Sequence, residues 1–207
     1  MARLFAIDLS SLALFRVALG LAILVNLANL APWAADFFSD QGVLTRDALV
    51  ASTSPHRFSL YLGNGKPIFV WLLFGVHALA ALGLIVGWRS QWMAAVNWLL
   101  LISLINRNPF ILQGGDQLIT LLAFWGMFLP LGARWSVDAA LADKPLPSPA
   151  NSHLSIASAA MLAQVLYVYF IGALLKDSAI WIPDGEAVYY ATHLANGLPA
   201  SRAWRGC

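Results

Sequence analysis

The sequence predicts an all-α integral membrane protein, a polytopic transmembrane helical bundle of about five spans, and three observations predict it. Hydrophobic residues make up 60% of the 207, and the mean hydropathy is +0.72. Charged residues are only 11%, against about 25% in soluble domains, too few to solvate an ordinary globular surface. The apolar residues also gather into runs near the ~20 residues that cross ~30 Å of hydrocarbon. Backbone groups in lipid must be satisfied within the segment, so these runs are helices.

The runs are Ser11–Ala31, Pro67–Gly87, Gln91–Ile105, Gln117–Leu131 and Ser155–Leu175. The third and fourth are short and are expected to tilt, re-enter or draw on their flanks. Gly83 and Gly87 in the second form a GxxxG pair, whose first meaning is close approach of a neighbouring helix. Between the first two spans, Trp33–Lys66 is polar, with turn signals at Ser54-Pro55 and Gly63-Asn64-Gly65. Asp143–His153, "DKPLPSPANSH", has the proline content of an exposed linker. After Lys176 a short helical stretch, Glu186–Asn196, stops at Gly197 and Pro199. Residues 1–200 are expected to form one transmembrane domain, with 201–207 a tail where the chain breaks off. Lysine and arginine fall on both sides of the spans, so charge leaves the orientation undecided.

Several classes of function are excluded. The formal charge is +2, and the basic residues are scattered, which offers no surface for nucleic acid. The single cysteine, Cys207, permits neither an internal disulfide framework nor a CxxC site. The first apolar run carries Arg16 and outlasts a signal-peptide core. No Ser/His/Asp set, P-loop, Rossmann glycine pattern or metal cluster is present in the sequence, and no metal is expected.

A few polar residues inside or beside the spans carry the remaining signal. Arg16 lies over a turn inside the first span, where a charge costs at least about 2.5 kcal/mol unless it snorkels or finds a partner. Its readings are an interfacial anchor or a pair with a carboxylate or ligand. Asn26 and Asn29 lie one turn apart on the same helix. His77 stands near the middle of the second span, where one interhelical hydrogen bond satisfies a neutral imidazole; a proton relay is the sharper alternative. "NRNPFILQGGDQLI", Asn106–Ile119, joins two spans and contains Asn108 and Asp116. Asp116 is placed to act as an N-cap for the fourth span. Arg134 and Trp135, in "PLGARWSVDA", suit the membrane interface. Lys176 ends the last span ahead of Trp181. An ammonium at an apolar boundary loses hydration, so a role as a base stands beside the role of anchor.

Five stretches recur in order: "SLALFRVALG", "FFSDQGVLTRDAL", "NRNPFILQGGDQLI", "PLGARWSVDA" and "YFIGALLKDSAIWIPDGEAVYY". In these the chain resembles the HTTM domain, the membrane domain shared by the vitamin K-dependent gamma-carboxylases and many bacterial proteins. The carboxylases oxidise vitamin K hydroquinone with O2 and so create a strong base, which removes a γ-proton from glutamate before CO2 adds. The resemblance implies that Lys176, with Tyr169-Phe170 before it and Trp181 after it, is the initiating base. It makes Arg16, His77, Asn108, Asp116 and Trp181 the candidates to bind a reduced quinone. The chain departs from the carboxylases at Pro109, which follows Asn108 where they carry a functional histidine. The expectation is a quinol- and O2-dependent, carboxylase/epoxidase-like lyase domain, multi-pass in a bacterial-type inner membrane. The alternative is a non-enzymatic membrane component in the maturation or export of a secreted peptide, with that peptide or another protein as partner.

Overall fold

Asp8 starts the first helix. In the computed structural model its carboxylate accepts from the amides of Ser10 and Ser11 at 2.9 and 3.1 Å, satisfying two of the free donors that open α1 (Leu9–Leu30). The structure describes residues 6–52, 58–111, 113–142 and 152–176, with Trp181, Glu186, Ala187 and Tyr189. The Ser54-Pro55 turn, most of the Pro-rich linker, Asp184-Gly185, the bulk of the Glu186–Asn196 stretch and the 201–207 tail lie outside the described residues. Residues 1–161 and 162–207 form two units, each taken by itself.

A 3-10 turn at Ala31–Trp33 leads from α1 into α2 (Ala34–Phe38), followed by α3 (Arg46–Ser52) and a second 3-10 turn at Leu60–Leu62. Pro67 opens α4 (Pro67–Val86), where its missing amide costs no helical bond. That helix ends at Gly87, whose φ of 78° a side chain would disfavour, and the amides of Gly87 and Trp88 both bond the Gly83 carbonyl at 3.0 Å. Then come α5 (Ser90–Arg107), a 3-10 turn at Pro109–Ile111, α6 (Gly114–Gly126), α7 (Val137–Ala140) and α8 (Ile156–Leu174). The protein is mostly helical. A two-residue antiparallel pair departs from this, β1 (Ile7–Asp8) with β2 (Ser152–His153), in which Ile7 faces His153.

Among the described residues, three helical segments are long and apolar enough to cross a membrane: Leu9–Phe38, Pro67–Val86 and Ile156–Leu174. Their outward faces remain apolar, with Leu14, Leu21 and Val25 exposed on α1 and Ile68, Leu72 and Leu79 exposed on α4. The third apolar run does draw on its flanks, becoming helical from Ser90 to Arg107. The fourth is helical from Gly114 to Gly126 and then turns, since Pro130 disfavours helical backbone at the residue before it.

In the first unit α1 packs on α4 and α6, and α5 packs on both of those, closing a four-helix ring. Leu12, Leu19, Ile23, Leu84, Leu101 and Ala123 fill its core. A Cβ at Gly20 would stand 2.5 Å from the Ile85 side chain, so this glycine sets the closeness of α1 to α4. Gly83 does the same for Met93 on α5, where a Cβ would stand 2.9 Å from the sulfur. The GxxxG pair thus divides its roles: Gly83 serves packing, and Gly87 serves the helix end. In the second unit α8 continues with Leu166, Tyr167, Tyr169, Phe170 and Leu174 all exposed.

Candidate functional site

At the end of the ring where α4 turns into α5, Arg16 is buried, 1% exposed, and its Nη2 donates to the Trp135 carbonyl at 2.6 Å. The guanidinium lies against Gly87, where any Cβ would overlap Nη1. Beside it Asp138 accepts from the Arg89 amide at 2.7 Å and from the amide and hydroxyl of Ser90 at 2.8 Å each. Asp138 therefore caps α5 from 48 positions further along the chain. Its own amide donates to the Gly87 carbonyl at 3.0 Å. Burial pushes the Asp138 carboxyl up, but the bonds from Ser90 and Arg89 and the charge of Arg16 outweigh it and hold the group below its ordinary range. Arg89 and Trp135 have positive φ of 45° and 49°, a strained conformation for residues with side chains, and this junction holds both.

Arg16 to Asn26 is ten residues along α1, about 15 Å at 1.5 Å per residue. At that level Asn26 Nδ2 donates to Asp116 Oδ1 at 2.9 Å, and the Gln113 amide donates to Asp116 Oδ2 at 2.9 Å. Asp116 is thus not the N-cap. It is the third residue of α6, reaching back to the amide of Gln113, which is the cap, because the helix already begins at Gly114. Asn108 Nδ2 donates to the Phe37 carbonyl at 3.1 Å, and its Oδ1 accepts from the Phe110 amide at 3.2 Å. Asn26, Asn108 and Asp116 line one cavity of about 20 Å³, walled otherwise by Leu30, Phe38, Leu101, Leu104, Ile105 and Ile111. A few polar groups set in an apolar wall can orient a largely apolar ligand by one hydroxyl edge.

The segment that follows Phe37 and Phe38 at the end of α2 is fastened to the end of α5. Asp40 pairs with Arg46 Nε at 2.7 Å and lies 3.6 Å from Arg107 Nη2. Arg107, with no exposed side-chain surface, also donates from Nη2 to the carbonyls of Ser39 at 3.1 Å and Leu44 at 2.8 Å. Desolvation raises the Asp40 carboxyl, while the bonds from Arg46 and the charges of Arg46 and Arg107 bring it below the usual range. The Asp40 amide donates to the Gly65 carbonyl at 2.9 Å, and a Cβ at Gly65 would overlap the Asp40 carboxylate. Further along, Ser59 Oγ donates to the Ser103 carbonyl at 2.6 Å and Asn106 Nδ2 to the Phe58 carbonyl at 2.8 Å.

His77 is wholly buried on α4, and the hydrogen bond expected of it is not found: neither ring nitrogen has a partner among the described residues. It does not line the Asn108–Asp116 cavity. In the second unit Lys176 Nζ lies 4.4 Å from the centroid of the Trp181 ring, a cation–π contact of about 0.5–1 kcal/mol at an exposed site. To act as a base Lys176 has to give that contact up. The structure therefore brings together Asn108 with Asp116, and Lys176 with Trp181; it gives Arg16 to the junction with Trp135 and Asp138.

No protein-family model matches the chain, and no solved structure matches it. Sequence reasoning passed over Asp40, Arg46, Arg107 and Asp138. An arginine at the end of a span looks like an anchor, and the partners of Asp138 lie too far along the chain for any local pattern to show. A weak signal existed in the clustering of Asp40 and Arg46 within one motif and of Arg107 in the next.

Proposed function

We propose that this chain is a multi-pass, five-crossing membrane domain of the HTTM type, of a bacterial-type inner membrane, which holds the hydroxyl edge of a reduced quinone at the Asn26–Asn108–Asp116 cavity. The observation that carries the reading is the cavity itself, because Asn108 and Asp116 come from one motif and meet there with Asn26. For the crossings, α5 with 18 residues rises about 27 Å, close to the hydrocarbon thickness. With 13 residues α6 rises about 20 Å and crosses with the help of the turn that follows it.

The residues fit a quinol in kind. A carboxylate accepts from a phenolic hydroxyl, the asparagine amides offer donor and acceptor atoms, and the leucines and isoleucines suit a ring and tail. In size the enclosed volume suits a hydroxyl rather than a whole ring. On oxidation by O2 the reduced quinone supplies the driving force for strong-base chemistry in the carboxylases the chain resembles. Asp116, fixed by Asn26 and Gln113, orients the hydroxyl, and Asn108 is held in place by the Phe37 carbonyl. As the base, Lys176 first gives up its ammonium proton and the face of Trp181, and the neutral Nζ then takes the proton; this role rests on the resemblance.

The test is oxygen-dependent consumption of menadiol in membranes that contain the wild type, Lys176→Arg or Asn108→Leu. Arginine snorkels as well as lysine but stays protonated and so does not serve as a base. Lys176→Arg is expected to accumulate normally and to abolish oxidation; equal rates would reject the base. Asn108→Leu is expected to weaken use of menadiol about tenfold, the equivalent of one hydrogen bond of ~1.4 kcal/mol. An unchanged rate would remove the cavity from the reading. No oxidation by the wild type would overturn the enzymatic reading in favour of a non-enzymatic component.

A further inference from the structure

A second set of buried polar groups lies apart from the residues that line the cavity. Tyr61, His77 and Asn97 are each 0% exposed. Among the described residues, both ring nitrogens of His77, the hydroxyl of Tyr61 and Oδ1 of Asn97 have no hydrogen-bond partner. Asn97 uses its amide on the Met93 carbonyl at 2.7 Å, which leaves the side-chain oxygen to the interior.

The helix register brings these groups to one level. The antiparallel α4 and α5 are joined through Gly87–Arg89, and Gly83 meets Met93, each five residues from Trp88. Counted outward the same way, Asn97 falls opposite Leu79, two residues from His77, or about 3 Å along the axis. The Tyr61 ring stands edge-on to Phe74 with centroids 6.3 Å apart, and Phe74 precedes His77 by one turn of α4. Three elements thus carry unpaired polar atoms at neighbouring levels of the interior.

Each buried polar atom left unpaired costs about 1–3 kcal/mol, whereas leucine or phenylalanine at these places would carry no such cost. The charged groups of the surrounding elements are engaged elsewhere: Asp40 with Arg46 and Arg107, Asp116 with Asn26, Arg16 with Trp135. A neutral imidazole offers one donor and one acceptor, the asparagine oxygen accepts, and the phenol does either. We propose that Tyr61, His77 and Asn97 form a buried binding site for a neutral hydroxyl group. Two sources supply that chemistry: an internal water, which usually makes about three hydrogen bonds, or the phenolic hydroxyl of a membrane-soluble quinol. Only the second source rests on the function proposed above.

Hydroxyl-radical footprinting of the purified full-length protein, in nanodiscs of phosphatidylethanolamine and phosphatidylglycerol, tests the site. Radicals form where water is, so Tyr61 and His77 should be oxidised despite their burial, while neighbouring buried Phe74 is spared. Loss of that oxidation when menadiol is added without air would assign the site to the quinol hydroxyl; unchanged oxidation would assign it to water. Tyr61→Phe, which removes only the hydroxyl, should lower oxidation at His77, and Asn97→Leu should abolish it. If Tyr61 and His77 stay as unreactive as Phe74 while exposed Tyr169 is oxidised, the site is overturned. Because Asn108→Leu alters the cavity alone, a footprint that survives in that variant separates this proposal from the fate of the cavity.

Discussion

The two ends of the four-helix ring hold their half-buried carboxylates Asp138 and Asp116 differently. Where α4 turns into α5, the Asp138 carboxylate takes its bonds from two backbone amides and Ser90, and Arg16 lies against a glycine with no room for a methyl group. At the other end Asp116 takes one bond from the Asn26 side chain and one from the Gln113 amide, and it borders the cavity with Asn108. A charge locked onto backbone holds architecture. A carboxylate that shares its bonds between one backbone amide and one side-chain amide at a cavity wall keeps lone pairs for a ligand.

The sharpest way to break this contrast is at the closed end. Gly87→Ala puts a methyl group onto Arg16 and asks alanine to adopt a positive φ. A loss of about 3 kcal/mol or more is expected, seen as poor accumulation and a collapsed thermal transition in detergent. Normal stability of that variant would show that the junction is loose, and the contrast would fail.

Asp138→Asn should cost about 2 kcal/mol, since charge-assisted bonds to two amides and a hydroxyl are weakened. The acid limb gives the sign. A carboxyl held below its ordinary value contributes stability that is complete above about pH 4 and is lost as pH falls through the depressed value. The wild type should therefore lose stability below about pH 4, and Asp138→Asn should lose less over that range. Asp40 has the same sign at the other end, so the limb should flatten only in part. An identical acid limb in the variant would remove Asp138 from the account.

Cysteine labelling sharpens the comparison at the smallest cost, because exposed substitutions usually stay within ~0.5 kcal/mol. In a Cys207→Ser background, Asn64→Cys and Gln91→Cys should react with an impermeant maleimide from opposite sides, since α4 lies between them. Glu186→Cys should share the side of Asn64 if the chain crosses five times. Reaction of Glu186→Cys from the Gln91 side would take one crossing away.

Much of the helical frame was legible because apolar runs of near-span length have few other solutions. The edges of α4 and α8 fell within a residue of the runs, whereas α6 ended early at a turn ahead of Pro130. The closures were not legible. Arg16 had two readings in the sequence, and only the fold shows it bonded to Trp135. Asp116 lay where an N-cap was expected, yet a start at Gly114 moved it to the third helical position. His77 was expected to find a bond on a neighbouring helix and has none among the described residues, a fact of side-chain placement that periodicity does not carry. Of the site residues, Asn108 and Asp116 were flagged by their motif, while Asn26 joined them only through the packing of α1 on α6.

The bond from Arg16 to Trp135 spans 119 positions of sequence. On a ribosome adding roughly 5–20 residues each second, the arginine enters the membrane about 6–24 seconds before its acceptor exists. Over that interval the first helix carries its cation without the Trp135 carbonyl or the Asp138 carboxylate beside it. The junction thus closes late in synthesis: a nascent chain stopped short of residue 135 has no carbonyl there to take the Arg16 guanidinium.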